Sequence, residues 1–314
     1  MPRAVQCVHR ARATVEGGPV NGRRFWIAGF VLSAFASNAS LAPAQSLPDT
    51  LRAQLHAGST RLHLGKDAVS VPLVGSPTLP LVQVLVNGRG PFRFLIDLGS
   101  NVVILRRSVV DAAKGKVLLD RAKSDIVRLD SLELGAARFD DVTAGAYDTL
   151  DVDGVIGYNL LQATSFTIDY PRQRLILQRL SLPEPDNATV FAYEVVDRMP
   201  SITVRIGGES LLLDLDTGAQ EYMTVPPSVQ GRLPWKGGLE PGPELTNNQT
   251  GTTRVLRGHL KVAPQLGSVP LPVAEVYVNP DAEDSWIGSA AMQGAAWTFD
   301  PANRRLEVLW SKGR

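Results

Sequence analysis

Two segments of the chain share a pattern in which an apolar run ends in an aspartate that a glycine follows two residues later. The first, Phe92 to Leu105, reads FRFLIDLGSNVVIL, and the second, Leu211 to Met223, reads LLLDLDTGAQEYM. An apolar run, turn residues and a further apolar run predict a buried strand, a tight turn and a second strand. One copy is weak evidence, because aspartate and glycine are ordinary turn residues. Two copies in matching frames constrain the fold far more strongly.

Two further landmarks follow each copy in the same order. The first half contains DGVIG, ending at Gly157, and closes with TIDYPRQRL from Thr167; the second contains DSWIG, ending at Gly288, and closes with TFDPANRRL from Thr298. Three ordered landmarks make chance a poor explanation, and a repeat of roughly 120 residues predicts two duplicated domains rather than a solenoid of short units. The boundary is expected near 181–187, a polar stretch that contains proline.

Short apolar runs broken by Gly, Pro, Asn and Asp fill most of the chain after residue 72. They include 81–86, 92–96, 126–134 and 202–206. Many short strands with turn signals predict a mostly-β protein. The few helix candidates are 107–113 and 160–163. The segment 45–72, which precedes these strands and helices, is interpreted as a linker or N-terminal extension. A short helix is expected over 48–56 and the start of a sheet over 61–71.

The N-terminus has the features of a targeting leader. Arg23 and Arg24 precede an apolar stretch over 25–36, and Ala42-Pro43-Ala44 fits a cleavage site with small residues. The apolar stretch is short for a membrane span, which needs about 20 residues; the alternative is an uncleaved anchor or a core helix. We therefore predict a signal peptide over 1–44 and an exported protein, periplasmic or secreted, with no stable membrane span after cleavage.

The composition argues against several classes of function. The formal net charge is +1, and no basic stripe with interleaved aromatic residues is present, so no nucleic-acid partner is expected. The only cysteine, Cys7, lies in the predicted leader, so the mature chain is expected to have no disulfide. The four histidines form no clustered ligand set, and neither a metal nor a cofactor is expected. Ser100 lacks the surroundings of a serine nucleophile.

The two turns can act together if the halves face each other. A carboxylate after a buried strand needs partners, because burying an isolated charge is costly, and Gly99 and Gly218 permit close approach of backbone N–H groups. The hydroxyl of Thr217 can lock its turn by a buried hydrogen bond. Asp97 and Asp216 would then share a proton, since two carboxylates about 3 Å apart cannot both ionise easily. On the alternative interpretation, each aspartate only caps its own turn.

The sequence resembles the aspartic proteases, and most of all the exported bacterial members of the retropepsin-like group. The resemblance covers 75–310 and rests on the strands into D-[TS]-G-[AST], on the apolar-apolar-glycine elements and on the closing Asp-x-x-x-x-Arg-Leu strands. It implies two retropepsin-like β-barrel lobes, over 73–182 and 183–314, that form a single-chain pseudo-dimer. The site residues that it implies are a catalytic dyad, Asp97 and Asp216, with Gly99, Ser100, Thr217, Gly218, Ala219, Gly157 and Gly288 in supporting or binding roles.

The resemblance also implies a function. The protein is expected to be an aspartic endopeptidase that hydrolyses peptide bonds in peptide or protein substrates, with the dyad activating water and without a metal or cofactor. Flap hairpins are expected over the cleft, near 130–143 and 246–259. Two lobes in one chain remove the need for a dimer, so a monomer is expected. Asp214 is interpreted as a solvated or paired neighbour of the dyad.

One residue departs from the family pattern. Leu98 stands where the family has Thr or Ser, whose hydroxyls cross-brace the two turns by hydrogen bonds. With Leu98, the hydroxyl of Thr217 must bond to backbone or to nothing, and an unpaired buried hydroxyl costs on the order of 1–3 kcal/mol. The alternative function is therefore a catalytically degenerate protein that keeps the protease fold and binds peptides by strand addition, or serves as a scaffold.

Overall fold

The computed structural model describes residues 24–25, 47–120, 124–247 and 251–311. Most of the predicted leader therefore lies outside the described residues; of it, only the strand β1 (Arg24–Phe25) is described. Within these ranges, no helix is long and apolar enough to cross a membrane.

Strands outnumber helices in both halves of the chain, so the prediction of a mostly-β protein is confirmed. In the first half the elements are α1 (Asp49–Ala57), β2 (Arg61–His63), β3 (Val69–Pro72), β4 (Leu81–Val86), β5 (Arg89–Asp97), β6 (Val103–Arg106), α2 (Arg107–Ala113), β7 (Lys116–Leu119), β8 (Asp125–Leu134), β9 (Ala137–Tyr147), β10 (Gly154–Gly157), α3 (Tyr158–Leu161), β11 (Ser165–Asp169) and β12 (Arg174–Gln178).

The second half contains fewer helical residues and one additional small hairpin. Its elements are β13 (Val190–Ala192), β14 (Glu194–Val196), β15 (Met199–Ile206), β16 (Glu209–Asp216), β17 (Met223–Val225), α4 (Pro227–Gln230), β18 (Glu240–Asn247), β19 (Gly251–Gly258), β20 (Gln265–Leu266), β21 (Val269–Pro270), β22 (Val276–Val278), β23 (Trp286–Gly288), α5 (Ser289–Met292), β24 (Ala295–Asp300) and β25 (Arg305–Trp310).

Three sheets organise the described residues into two lobes. The first lobe has an eight-stranded sheet in the order β2-β9-β6-β10-β5-β4-β8-β7. The second has an eleven-stranded sheet, β1-β18-β19-β22-β17-β23-β16-β15-β20-β21, with β14 beside β15. A six-stranded sheet, β13-β25-β24-β11-β12-β3, takes strands from both halves. The predicted two-lobed fold is thus confirmed, and the six-stranded sheet is shared by the lobes.

The lobes meet at the centre of the shared sheet, where β11 and β24 are antiparallel neighbours. Thr167 lies opposite Thr298, and their hydroxyl oxygens are 2.9 Å apart. Phe166 lies opposite Phe299, with the rings stacked at a centroid separation of 4.7 Å. The two threonines begin the matching closing segments of the two halves. A residue that faces its own counterpart marks an approximate two-fold axis between the lobes.

The elements around the two aspartates pair in the same way in both lobes. In the first, β10 is parallel to β5 and antiparallel to β6, and β6 is parallel to β9. In the second, β23 is parallel to β16 and antiparallel to β17, and β17 is parallel to β22. A helix follows the strand after each aspartate turn, α2 in one lobe and α4 in the other. The ordered landmarks of the sequence therefore occupy corresponding positions.

Residues 47–72 are an integral part of the first lobe and not a linker. Their strands extend two sheets, because β2 pairs with β9 and β3 pairs with β12. Their helix is anchored by Leu55, which is buried in an apolar cluster with Leu95 and Val102, and by the side-chain amide of Asn159, which donates to the carbonyl oxygen of Leu55 at 3.0 Å. Leu51 packs against the same cluster, so the two leucines supply the apolar face of the helix.

The hairpin expected as the first flap has a different position. The turn between β8 and β9 lies against β3, since a Cβ on Gly135 would be 2.9 Å from Cγ1 of Val71. Because β3 belongs to the shared sheet, this turn is held away from the aspartates, and the prediction of a flap at 130–143 is wrong. In element order, the hairpin that corresponds to β18–β19 is β7–β8. The turns of these two hairpins, 121–123 and 248–250, lie outside the described residues.

Candidate active site

Each aspartate is the last residue of a strand with a parallel neighbour. Asp97 ends β5 and lies opposite Gly157 of β10, and Asp216 ends β16 and lies opposite Gly288 of β23. Both aspartates are buried. The parallel neighbours therefore place the two carboxyl groups at equivalent points of the two lobes.

The glycines opposite the aspartates are required by the close packing beneath the turns. A Cβ on Gly157 would lie 2.5 Å from the carbonyl oxygen of Val102 and 2.6 Å from that of Ser100. A Cβ on Gly288 would lie 2.2 Å from the carbonyl oxygen of Glu221. No side chain fits at such distances, so glycine alone lets β10 and β23 pass under the turns.

The two turns are in contact across the interface between the lobes. A Cβ on Gly99 would lie 2.5 Å from Cγ of Asp216, so the first turn touches the second carboxyl group. The two carboxyl groups are close enough that the charge of Asp216 raises the pKa of Asp97. The residues predicted as a dyad are thus brought together at a single buried site.

Backbone N–H groups hold the two carboxyl groups unequally. Oδ1 of Asp216 accepts from the N–H groups of Gly218, at 2.9 Å, and Ala219, at 3.0 Å. Oδ1 of Asp97 accepts from the N–H of Gly99 at 2.9 Å. Ser100 directs its hydroxyl away from the dyad, to a backbone carbonyl two residues further on, at 2.9 Å. Asp216 is therefore the better stabilised anion.

Burial raises the pKa of both carboxyl groups, since a charge is less stable away from water. The pKa of Asp97 is raised well above its ordinary value, because the negative charge of Asp216 adds repulsion to the burial. Backbone N–H groups oppose the rise in both pKa values, those of Gly99 and Gly218 for Asp97 and those of Ala219 and Gly218 for Asp216. Two buried carboxyl groups in this arrangement favour a single shared proton, since both cannot ionise easily.

A single threonine braces the two turns. Oγ1 of Thr217 donates to the carbonyl oxygen of Ile96 at 2.7 Å and accepts from the N–H of Leu98 at 3.0 Å. Both partners belong to the turn of the other lobe. The prediction that Thr217 bonds to backbone is confirmed, and the side chain of Leu98 is fully buried in the main apolar core. One hydroxyl thus bonds the backbone on both sides of Asp97.

Replacing Leu98 with threonine tests whether the second brace can be restored. We expect Leu98→Thr to cost less stability than Leu98→Ala, which should lose about 2–5 kcal/mol as a buried leucine does. The reason is that a threonine hydroxyl, by the approximate two-fold relation, would meet backbone groups of the Asp216 turn. Urea denaturation of both variants measures the difference. A threonine variant as unstable as the alanine variant would show that no such partners are within reach.

Several residues of the site were not singled out from the sequence. Glu221 is buried beside the second turn, where its carboxyl oxygen accepts from Nε1 of Trp286 at 2.6 Å. Ser289 donates through Oγ to the carbonyl oxygens of Ala219, at 2.9 Å, and Thr78, at 2.6 Å, which ties the second turn to the first lobe. The sequence signal for Glu221 is weak, because other polar residues, among them Asp214 and Gln220, precede it.

Asp214 is a paired neighbour of the dyad, as interpreted. Its Oδ1 accepts from Oγ of Ser201 at 2.6 Å. Burial raises its pKa to about 6, and the negative charges of Asp284 and Asp197 add to the rise. Among the described residues, no group of three or more His, Cys, Asp or Glu side chains could hold a metal ion.

Residues 82–160 match the family model described as aspartyl protease. The matched range runs from β4 into α3 and contains Asp97, Leu98 and Gly157. The resemblance to aspartic proteases is therefore confirmed over this range.

Two solved structures are similar to this chain. A retropepsin-like aspartic protease from Rickettsia conorii is 20% identical with a TM-score of 0.31, over 38% of this chain and 94% of that one. An aspartic proteinase from Irpex lacteus is 13% identical with a TM-score of 0.47, over 78% of this chain and 98% of that one. A search of the curated proteins found no match.

Proposed function

We propose that the protein is an aspartic endopeptidase that hydrolyses peptide bonds with the dyad Asp97 and Asp216. The observation that carries the proposal is the contact between two turns that place buried carboxyl groups at the ends of corresponding strands. Two buried carboxyl groups that share one proton are the arrangement needed for general acid–base catalysis on water. The match of 82–160 to aspartyl proteases supports the same chemistry.

The unequal hydrogen bonding assigns a role to each aspartate. The ionised Asp216 accepts a proton from a water molecule, and the water oxygen attacks the carbonyl carbon of the scissile peptide. The protonated Asp97 donates its proton to the carbonyl oxygen, which gives a tetrahedral diol. Collapse of the diol breaks the C–N bond, the amine leaves with a proton, and the dyad regains its single shared proton. The N–H groups of Gly218 and Ala219 hold the base in place throughout.

The substrate is proposed to bind as an extended strand beneath the hairpins β7–β8 and β18–β19. Each hairpin follows the short helix after an aspartate turn, so the two occupy corresponding places in the lobes. Strand addition takes its affinity from main-chain hydrogen bonds and its selectivity from side-chain pockets. The same binding would serve the alternative function, a degenerate peptide-binding or scaffold protein. The two inter-turn bonds of Thr217 favour the enzyme, because they brace the dyad despite Leu98.

The pH profile of peptide cleavage tests the proposal. We expect kcat/KM to be bell-shaped, with protonation of Asp216 on the acid side and loss of the proton of Asp97 on the alkaline side. Both limbs should lie above the pKa of a free aspartic acid, because burial raises the pKa of both groups. The measurement is cleavage of a mixed peptide library from about pH 3 to pH 8, a span that brackets carboxylate dyads. A pH-independent rate would contradict dyad chemistry.

Export and a monomeric state are also part of the proposal. The basic pair, apolar stretch and Ala42-Pro43-Ala44 support a cleaved leader. Expression of the full chain in a bacterial host, followed by N-terminal sequencing of the product, should give a chain that begins after Ala44. Light scattering of the purified product should give the mass of one chain, since both aspartates come from it.

A further inference from the structure

Glu221 and Trp286 form a buried polar pair beside the dyad. Oε1 of Glu221 accepts from Nε1 of Trp286 at 2.6 Å and from Oγ1 of Thr224 at 3.1 Å. Glu221 is 6% exposed and Thr224 is fully buried. A buried carboxyl group is expensive, so its presence five residues after Asp216 needs a reason beyond packing.

The first lobe shows that the fold does not require this pair. Val102 follows Asp97 by five residues, as Glu221 follows Asp216, and its carbonyl oxygen packs on Gly157 as that of Glu221 packs on Gly288. The counterpart of Trp286, two residues before the glycine, is Val155. Val102 and Val155 are both buried in one apolar cluster. An apolar pair in one lobe is therefore replaced by a hydrogen-bonded, ionisable pair in the other.

The pair connects the Asp216 turn to the proposed flap of the second lobe. Trp286 packs against a cluster of Ala219, Leu245, Val255 and Tyr277. Ala219 donates its N–H to the dyad, whereas Leu245 and Val255 belong to β18 and β19. The Trp286 indole thus packs both on Ala219, whose N–H bonds Asp216, and on the β18–β19 hairpin.

We propose that Glu221 is a positioning residue, whose uncharged carboxyl group holds Trp286 against Ala219 and the β18–β19 hairpin and so maintains the Asp216 turn in its working geometry. The inference rests on the proposed function for its catalytic part. Glu221 would be a third carboxyl group at the site. It would contact neither the attacking water nor the substrate, and would act through Trp286.

The charges around Glu221 make this geometry sensitive to pH. Burial raises the pKa of Glu221 to about 8, the bonds from Trp286 and Thr224 oppose the rise, and the charge of Asp216 adds to it. No basic side chain of the described ranges forms an ion pair with Glu221, and Arg254 on the hairpin is paired with Glu244. Ionised Glu221 would therefore lie near the negative charge of Asp216 without a paired cation. The carboxylate would move towards water, and Trp286 would then lose its position.

Tryptophan fluorescence of the full purified chain between pH 6 and pH 10 tests the pair without any need for catalysis. We expect a transition near pH 8 that is absent from Glu221→Gln, which cannot ionise, and from Trp286→Phe, which lacks the reporter. A transition that persists unchanged in Glu221→Gln, or the lack of one in the wild type, would overturn the proposal. If the wild type cleaves no peptide, the proposed function fails. This titration would still show whether ionisation of Glu221 changes the environment of Trp286.

Cleavage kinetics at pH 5 to 6 test the catalytic part. Glu221→Gln, which keeps an acceptor oxygen, should stay close to wild type. Glu221→Val should lower kcat by about 10- to 100-fold with little change in KM, because misplacement of about 1 Å costs up to about 10²-fold. The double variant Glu221→Val/Trp286→Val reproduces the pair of the first lobe and should fold, as thermal denaturation would show. A Glu221→Val variant with the kcat of the wild type would overturn the positioning role.

Discussion

Replacement of Asp216 by asparagine is expected to reduce kcat/KM for peptide cleavage by about 10³- to 10⁴-fold, towards the upper end of what general acid–base catalysis contributes. Asparagine fills the same space, and its side-chain oxygen can accept hydrogen bonds from the N–H groups of Gly218 and Ala219. Its amide cannot accept a proton from water. Asp97→Asn should cause a similar loss, because no proton would be donated to the substrate carbonyl. Intact cleavage in both variants would eliminate the dyad mechanism.

The same variants should be more stable than the wild type at neutral pH. The folded-state pKa values of the pair are raised, so the pair favours the folded state most at low pH, and stability falls as pH rises through the raised values. A neutral amide at one position removes the repulsion within the pair and so reduces that dependence. Asp214→Asn is the matched control, since Asp214 lies two residues away and bonds to Ser201 rather than to the dyad. Asp214→Asn should keep the kcat/KM of the wild type for peptide cleavage.

Replacement of Thr217 by valine is expected to give the second large effect. Valine matches the shape of threonine but leaves the carbonyl of Ile96 and the N–H of Leu98 without their buried partner. At about 1–3 kcal/mol for each unpaired buried group, the loss should be roughly 2–6 kcal/mol. Activity should fall as well, because the hydroxyl is the bond that joins the two turns. Urea denaturation and kcat/KM measure the two effects.

A matched control exists at the centre of the shared sheet. Thr167 and Thr298 also place hydroxyl groups in contact between the lobes, at 2.9 Å, and among the described residues they bond to each other alone. The double variant Thr167→Val/Thr298→Val removes both partners together and should be nearly neutral. If that variant is as unstable as Thr217→Val, loss of a buried hydroxyl alone would explain the effect, without a special role for the brace.

Much of the fold was predictable because the dominant signals are local. The strands β4 and β8 and the helix α2 lie within a residue of their predicted bounds, since apolar runs and turn residues act over a few positions. The repeated landmarks also predicted which residues would meet. Asp97 and Asp216 are 119 positions apart, and only the symmetry of the pattern indicated their contact.

The features that sequence patterns missed depend on tertiary packing. The turn at Gly135 has the sequence of an ordinary hairpin turn. Only its contact with Val71, a tertiary contact, distinguishes it from a flap. The helix at 49–57 was predicted, but its contribution to the first lobe depends on the packing of Leu51 and Leu55 against the apolar cluster. The role of Glu221 depends on an indole 65 positions away, a distance that no local pattern spans.

The shared sheet has a consequence for how such a site can evolve. In a symmetric dimer of identical chains, every substitution occurs twice, once on each side of the axis. Here the strands β11 and β24 join two halves of one polypeptide, so each side can vary independently. The pairs Leu98 with Thr217 and Val102 with Glu221 are such one-sided differences. A covalently joined site can therefore give its two aspartates different neighbours, and so divide acid and base between them.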